Sequence, residues 1–290
     1  MLKLRVVMFV LLMICSVVLA KADDEIYLIV RADDIGSSHA ANIACIRSYQ
    51  QGIARSVEVM VPCPWFLEAA EMLRDNPGYD VGVHLTLTSE WSNMKWGPLT
   101  CAPSLVDSNG YFYPRQKNWT DENATDAFWN AGPDLKDVEK EVRAQIEMAL
   151  EHIPQVSHVS AHMGVSSVDP EMQELVGRLV KEYGLDIDLA KYEIQRANWN
   201  ADSDDSAITR EQKLVKMLQK LQPGRYLLVE HPGLDTPEMQ GLGHSGYENV
   251  ATHRAGVTYA FTSKKVKQVI EERNIKLVSY KEAQELFGEE

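Results

Sequence analysis

Cysteine is scarce in this 290-residue chain: there are four, and Cys15 lies in the N-terminal apolar segment, leaving Cys45, Cys63 and Cys101 in the body. Three thiols allow at most one internal disulfide, and their spacing fits no zinc-ligand pattern. A disulfide-stapled miniprotein is therefore excluded, and the three read mostly as buried apolar residues. Basic charge is short as well. With 29 Lys+Arg against 42 Asp+Glu the net charge is −13, which argues against nucleic acid as a partner, because phosphate binding needs a surplus of cations. There is no linker-like composition and no internal repeat, and the N-terminal apolar run, 15 residues from Val6 to Ala20, is short of the roughly 20 residues of a membrane span. What remains, 45% hydrophobic and 24% charged, is the composition of a globular protein long enough to bury a sizeable core.

The N-terminus combines Lys3 and Arg5, an uncharged run from Val6 to Ala20, and the small-residue stretch Ala20-Lys21-Ala22. This pattern is that of a secretory signal peptide occupying residues 1–22, so the expected location is outside the cytoplasm, periplasmic or extracellular. Ile14 stands before Cys15 where a lipoprotein box needs a small residue, which argues against lipid anchoring, and no stable membrane insertion is expected.

From residue 23 to 290 the chain reads as one domain in which short β-branched runs alternate with helical patterns. Strands are expected at 27–30, 57–61, 80–87, 155–161, 185–189, 226–230 and 275–280, and helices at 37–49, 64–74, 134–152, from 169 onward, 209–221 and 264–273. Seven strands separated by helices imply parallel βαβ units, hence a wound sheet or a barrel. The aromatic and proline-rich segment at about 88–133 is too long for a plain connection and reads as an insertion forming a lid or wall.

In parallel α/β folds reactive groups gather past the carboxyl ends of the strands. Here the strand ends carry Asp33-Asp34, His84, His162 and Glu230-His231. Adjacent carboxylates repel unless they share a cation or a proton, so Asp33-Asp34 suits one metal ligand beside one general base. A helix cap is the plainer alternative for that pair. His84 interrupts an apolar strand, where a hydrogen-bonded core histidine is the plainer reading. His158 and His162 are four apart, so both need not be ligands, and the Pro232-Gly233 turn could fix His231 at the rim. Two imidazoles and a carboxylate form a divalent metal site with open positions.

Val30-Arg31-Ala32-Asp33-Asp34-Ile35-Gly36, Gly82 to Thr88, Ser104 to Asp107 with Gly110-Tyr111-Phe112, His158 to His162, and Glu230-His231-Pro232-Gly233 together resemble the YdjC-like carbohydrate deacetylases, which include chitooligosaccharide deacetylases. The resemblance spans the mature chain. It implies an α/β fold, a single distorted, seven-stranded (β/α) barrel related to polysaccharide deacetylases, with one divalent metal ion, Mg or Zn first. Carried over by position, Asp34, His84 and His162 would bind the metal, Asp33 would be the general base and His231 the general acid. The implied substrate is an N-acetylated amino sugar or a small chitooligosaccharide. One departure stands out: Ser160 and Gly164 occupy positions where the family usually has aspartate and histidine.

Two other readings remain open at this level: a carbohydrate-binding relative without turnover, and a different two-histidine, one-carboxylate metal enzyme such as a ferrous oxygenase. A homodimer is compatible with the sequence. Trp91, Trp96, Tyr111, Phe112 and Trp119 crowd the insertion, either as a sugar-stacking platform or as packing between insertion and barrel.

Overall fold

The computed structural model describes residues 25–121 and 123–288; the expected signal peptide and lipoprotein box lie outside the described residues. In chain order the elements are β1 (Ile26–Ile35), α1 (His39–Gln50), β2 (Ser56–Val59), α2 (Phe66–Arg74), β3 (Asp80–Leu85), α3 (Leu135–His152), β4 (Val156–Ala161), α4 (Pro170–Glu182), β5 (Gln195–Arg196), α5 (Ala207–Lys220), β6 (Gly224–Glu230), α6 (Pro237–Gln240), α7 (Val250–Thr262), α8 (Lys264–Glu272), β7 (Lys276–Val278) and α9 (Tyr280–Phe287).

All strand pairings are parallel, in the order β4-β3-β2-β1-β6-β5. On one edge β1 pairs with β6 from Ile26 to Ala32. On the other, β7 takes Tyr27 to Ile29 and β2 takes over from Arg31. Among the described residues no pairing joins β4 to β5, so the seven-stranded sheet is a distorted barrel left unclosed between those two strands.

The period-2 alternation of a strand assigns the two faces. Leu28, Val30 and Ala32 of β1, Val57 and Val59 of β2, and Val81, Val83 and Leu85 of β3 enter the large core under the helices. Their neighbours turn to the concave side. At its lower end that side is apolar, with Ile29, Leu227 and Val278 packed beside Tyr280 and Phe287. Above them it is polar, carrying Arg31, Asp33, Glu58, His84, His158 and Ser160. Gly82 faces the same way, and a Cβ there would collide with the Glu58 carboxylate and the His158 imidazole; the missing side chain is what lets β2 and β4 touch across β3.

Most helix starts follow their caps. Ser38, Asp134, Asp169, Ser206 and Ser263 each accept a first-turn N–H, and Pro170 sits in the first turn of α4. The strand expected at 185–189 does not form. Gly184 takes φ +69°, Leu185 N–H turns back to Val180 at 2.9 Å, and Asp188 accepts from Ala190 and Lys191 N–H. These bonds curl the segment into turns, and the strand shifts to Gln195–Arg196. Helix α7 is an addition to the sequence reading. Its buried residues, Val250, Ala251, Arg254, Val257, Thr258 and Phe261 among them, lie on most of its sides, so no amphipathic stripe announces it.

The segment 88–133 is irregular and is tied to α3. The Glu141 carboxylate accepts from Leu99 N–H, Thr100 N–H and the Thr100 hydroxyl, and Asp137 accepts from Ser104. Trp91, Trp96 and Phe112 are buried, whereas Tyr111 and Trp119 are exposed; the first three pack the insertion onto the barrel rather than offering a sugar platform. Cys45 and Cys63 are buried as expected, but Cys101 is exposed, and all three are free. No helix among the described residues is long and apolar enough to cross a membrane.

Candidate metal centre

Asp33 and Asp34 lie on a bulge. The register between β1 and β2 shifts between Ala32 and Ile35, and Asp34 has φ +74°. A bulge re-aims side chains, and this one turns both carboxylates toward the same rim. Positive φ at a non-glycine residue is strained backbone concentrated at functional sites. The next turn is closed by Gly36, at φ +98°, where a Cβ would press to 2.9 Å on the Met60 carbonyl oxygen.

Asp34, His84 and His162 come together: one ligand atom from each lies within 4.8 Å of the other two, and all three residues are buried. Asp34 Oδ1 is 3.6 Å from His84 Nε2 and 3.4 Å from His162 Nδ1. It is a buried oxygen without a hydrogen-bond partner, a costly state unless a proton or cation meets it. The other oxygen, Oδ2, accepts from Arg254 at 2.7 Å. Gly233 lets α7 come this close, since a Cβ there would meet Arg254 Cβ at 2.7 Å. Carboxylate plus two imidazoles is a donor set for a divalent ion, and the orphaned oxygen fits it.

Each histidine has its second nitrogen engaged. His162 Nε2 donates to Glu90 at 2.9 Å, leaving Nδ1 toward Asp34. His84 Nδ1 meets the Ser160 hydroxyl at 2.6 Å, leaving Nε2 toward Asp34. Such partners orient ligating imidazoles. Without an ion, burial pushes His84 down to about 4 against the pull of Asp33. For His162 burial also works downward, but Glu90 and Asp34 outweigh it and carry it up to about 10, so without an ion its Nδ1 proton faces Asp34 Oδ1 at 3.4 Å, longer than a good hydrogen bond, and an ion would take that proton's place. Asp34 is held well below the carboxylate range: burial opposes ionisation, and Arg254, His231 and His162 overcome it.

Asp33 is clamped by Arg31, Nε to Oδ1 at 2.7 Å and the terminal nitrogen to Oδ2 at 2.8 Å. Its Oδ2 is 3.8 Å from His84 Nε2. Arg31 also donates to the Tyr280 hydroxyl at 2.9 Å. His231 follows Glu230, which pairs with Ala32 in the β1–β6 register, so it stands beside the aspartates. It is half-buried, and it is close enough to act on both Asp34 and Glu230. Burial pushes the Glu230 carboxyl up, against His231 and the Trp199 N–H that binds it at 2.5 Å. His158 lies apart from the cluster: it donates from Nε2 to Glu58 at 2.8 Å and stacks on Tyr280 at 3.9 Å.

A family model for YdjC-like proteins matches residues 27–272. The chain belongs to the YdjC-like family. Among its relatives is Carbohydrate deacetylase 1 of Listeria innocua serovar 6a, 32% identical over 160 residues, 55% of this chain and 59% of that protein. The chain therefore spans under two thirds of that relative. The carbohydrate deacetylase of Thermus thermophilus is 32% identical over 236 residues, 74% of this chain and 80% of the other. In three dimensions the chain is similar to an Enterococcus faecalis protein named for cellobiose-phosphate cleavage, with a TM-score of 0.68, 25% identity, and coverage of 89% of this chain and 98% of that one.

Within this YdjC-like site the sequence reading picked out Asp33, Asp34, His84, His162 and His231, and the structure brings all five to one rim. It did not pick out Arg31, Glu58, Glu90 and Arg254. For Arg31 and Glu58 a signal existed, since each interrupts an apolar strand as His84 does. Glu90 and Arg254 carried none: one opens an irregular insertion, the other sits on a helix without a stripe.

Proposed function

We propose that this YdjC-like protein is a metal-dependent carbohydrate N-deacetylase that hydrolyses the acetamide of N-acetylated amino sugars or small chitooligosaccharides. The observation that carries the reading is the buried, unpartnered Oδ1 of Asp34 facing His84 Nε2 and His162 Nδ1, and the relatives named carbohydrate deacetylase support the reaction class. Asp34, His84 and His162 would hold the ion, which when bound supplies Lewis-acid polarisation of the amide carbonyl and lowers the pKa of water.

Asp33 acts as the general base. Arg31 occupies one lone pair on each of its oxygens, and Oδ2, nearest His84, keeps another for the proton of the attacking water. The Arg31 clamp fixes the carboxylate's direction, so little reorientation is needed on the way to the transition state. His231, on the turn after β6, delivers a proton to the departing amine; an amide nitrogen leaves poorly without one. The proposal includes export from the cytoplasm, which the N-terminal sequence supports.

The test is acetate release from N-acetylglucosamine and from chitooligosaccharides by chelator-stripped protein resupplied with Zn, Mg, Mn, Co or Ni. Metal-restored acetate release is expected. Folded, metal-binding protein that releases none from either substrate would overturn the proposed activity.

A further inference from the structure

Beneath the candidate metal centre a second group of polar side chains lies in the concave face, with Glu58, His84 and His158 buried and Ser160 half-buried. Glu58 is fully buried on β2, His158 and Ser160 lie on β4, and His84 lies between them on β3. The Glu58 Oε1 accepts from His158 Nε2 at 2.8 Å, with Arg31 Nε 3.8 Å away. Its Oε2 accepts from the Ser160 hydroxyl. The Ser160 oxygen is also 2.6 Å from His84 Nδ1.

A serine hydroxyl has one proton. An ionised carboxylate only accepts, so the Ser160 proton belongs to the contact with Glu58, and the contact with His84 has to be donated by the imidazole. His84 then carries its proton on Nδ1 and presents Nε2 as a lone pair, on the side of Asp34 Oδ1.

We infer that Glu58 and Ser160 are positioning residues: a hydroxyl relay from a buried carboxylate that fixes the His84 tautomer and so sets the affinity of the metal centre. The inference rests on the proposed ligand role of His84. It gives a buried charge on β2, beneath the metal centre, a definite task. Burial opposes the ionisation of Glu58, but His158 and Arg31 outweigh it and hold the carboxyl well below the usual range. The relay sits where it can act on ligand orientation without touching substrate. It also gives Gly82 its reason, since any side chain there would strike Glu58 and His158.

The test combines zinc titration of the stripped full chain with nitrogen-15 imidazole spectra. In the apo wild type, His84 is expected to show its proton on Nδ1. Ser160→Ala should weaken zinc binding about 10- to 100-fold, the range seen when a partner of a ligating histidine is removed. Ser160→Thr, which keeps the hydroxyl, should restore affinity to within about threefold of the wild type, a small fraction of that loss. The double variant Glu58→Gln with Ser160→Asp moves the acceptor carboxylate directly onto Nδ1, and it should bind zinc better than Ser160→Ala does. A His84 proton on Nε2 in the wild type would overturn the inference whether or not any variant folds. So would wild-type zinc affinity in a folded Ser160→Ala. If instead His162→Ala binds zinc as the wild type does, the metal centre itself is misassigned, an outcome distinct from failure of the relay.

Discussion

Asp33 and Asp34 are neighbours in sequence, yet the bulge gives them different company. Arg254 takes one oxygen of Asp34 and leaves the other bare, whereas Arg31 holds both oxygens of Asp33. Their substitutions should therefore separate. Asp33→Asn keeps shape and part of the Arg31 contact, so zinc content should stay at the wild-type level while kcat falls about 10²- to 10⁴-fold, the range for loss of a general base. Metal analysis beside steady-state kinetics checks this, and retention of most activity would remove Asp33 from the base role. His162→Ala should do the reverse, losing metal first and activity with it. His84 was legible because an imidazole in a buried run needs an explanation; Arg31 and Glu58 carried the same signal within β1 and β2 and went unread. Glu90 and Arg254 were not legible, since their meaning comes from contacts across 72 and 220 positions of sequence.

At the scale of elements, legibility followed period and punctuation. Strands β1 to β4 and β6 were readable as apolar runs, and α3 and α4 from their Asp caps and, in α4, a first-turn proline. Where side chains competed with the backbone, as Asp188 does in the turns before β5, the apolar run misled; where a helix is buried on most sides, as α7 is, no stripe existed to read. Two predictions belong here. Gly82→Ala forces a methyl group into the Glu58–His158 pair between β2 and β4. Leaving a buried donor or acceptor without its partner costs about 1–3 kcal/mol, so a loss of about 1–3 kcal/mol is expected in urea unfolding, and a loss under about 0.5 kcal/mol, short of that range, would show that the strands separate readily. On α7, His253 is pushed down to about 4 by burial, then by Arg210 and Arg254, while the Tyr247 hydroxyl lies 2.5 Å from its Nδ1. An unfolded histidine titrates near 6.5, so between about pH 6.5 and 4 the unfolded chain binds a proton that the folded chain refuses. Stability should be unaffected by this group above about pH 6.5 and should decline as pH falls toward 4. Allowing for solvent screening of a half-buried group, the decline is about 1–2 kcal/mol. His253→Gln should remove that part of the acid sensitivity, and unfolding curves for both proteins at neutral pH and near the lower end of that window decide it.

For the whole molecule, the barrel's open side and its long insertion leave the candidate metal centre as the point where distant parts of the chain meet. Asp34 comes from β1, His84 from β3, His162 from the turn after β4, Glu90 from the insertion and Arg254 from α7. An ion bound there joins segments that separate on unfolding, and the unfolded chain offers no preformed site, so binding free energy becomes folding free energy. With free zinc at about 100 times Kd the gain is about 2.7 kcal/mol. A chain of this size shifts by about 2–4 °C per kcal/mol, so the melting temperature should rise by about 5–10 °C. Chelator should reverse the rise. His162→Ala should show none of it, because the remaining Asp34 and His84 span only β1 and β3. A wild-type protein whose melting temperature ignores zinc, magnesium and chelator alike would mean that the orphaned oxygen of Asp34 is met by a proton rather than by a cation. The proposed activity would then have to run without an ion, with Arg254, which already holds Asp34, as the fixed cation at the rim.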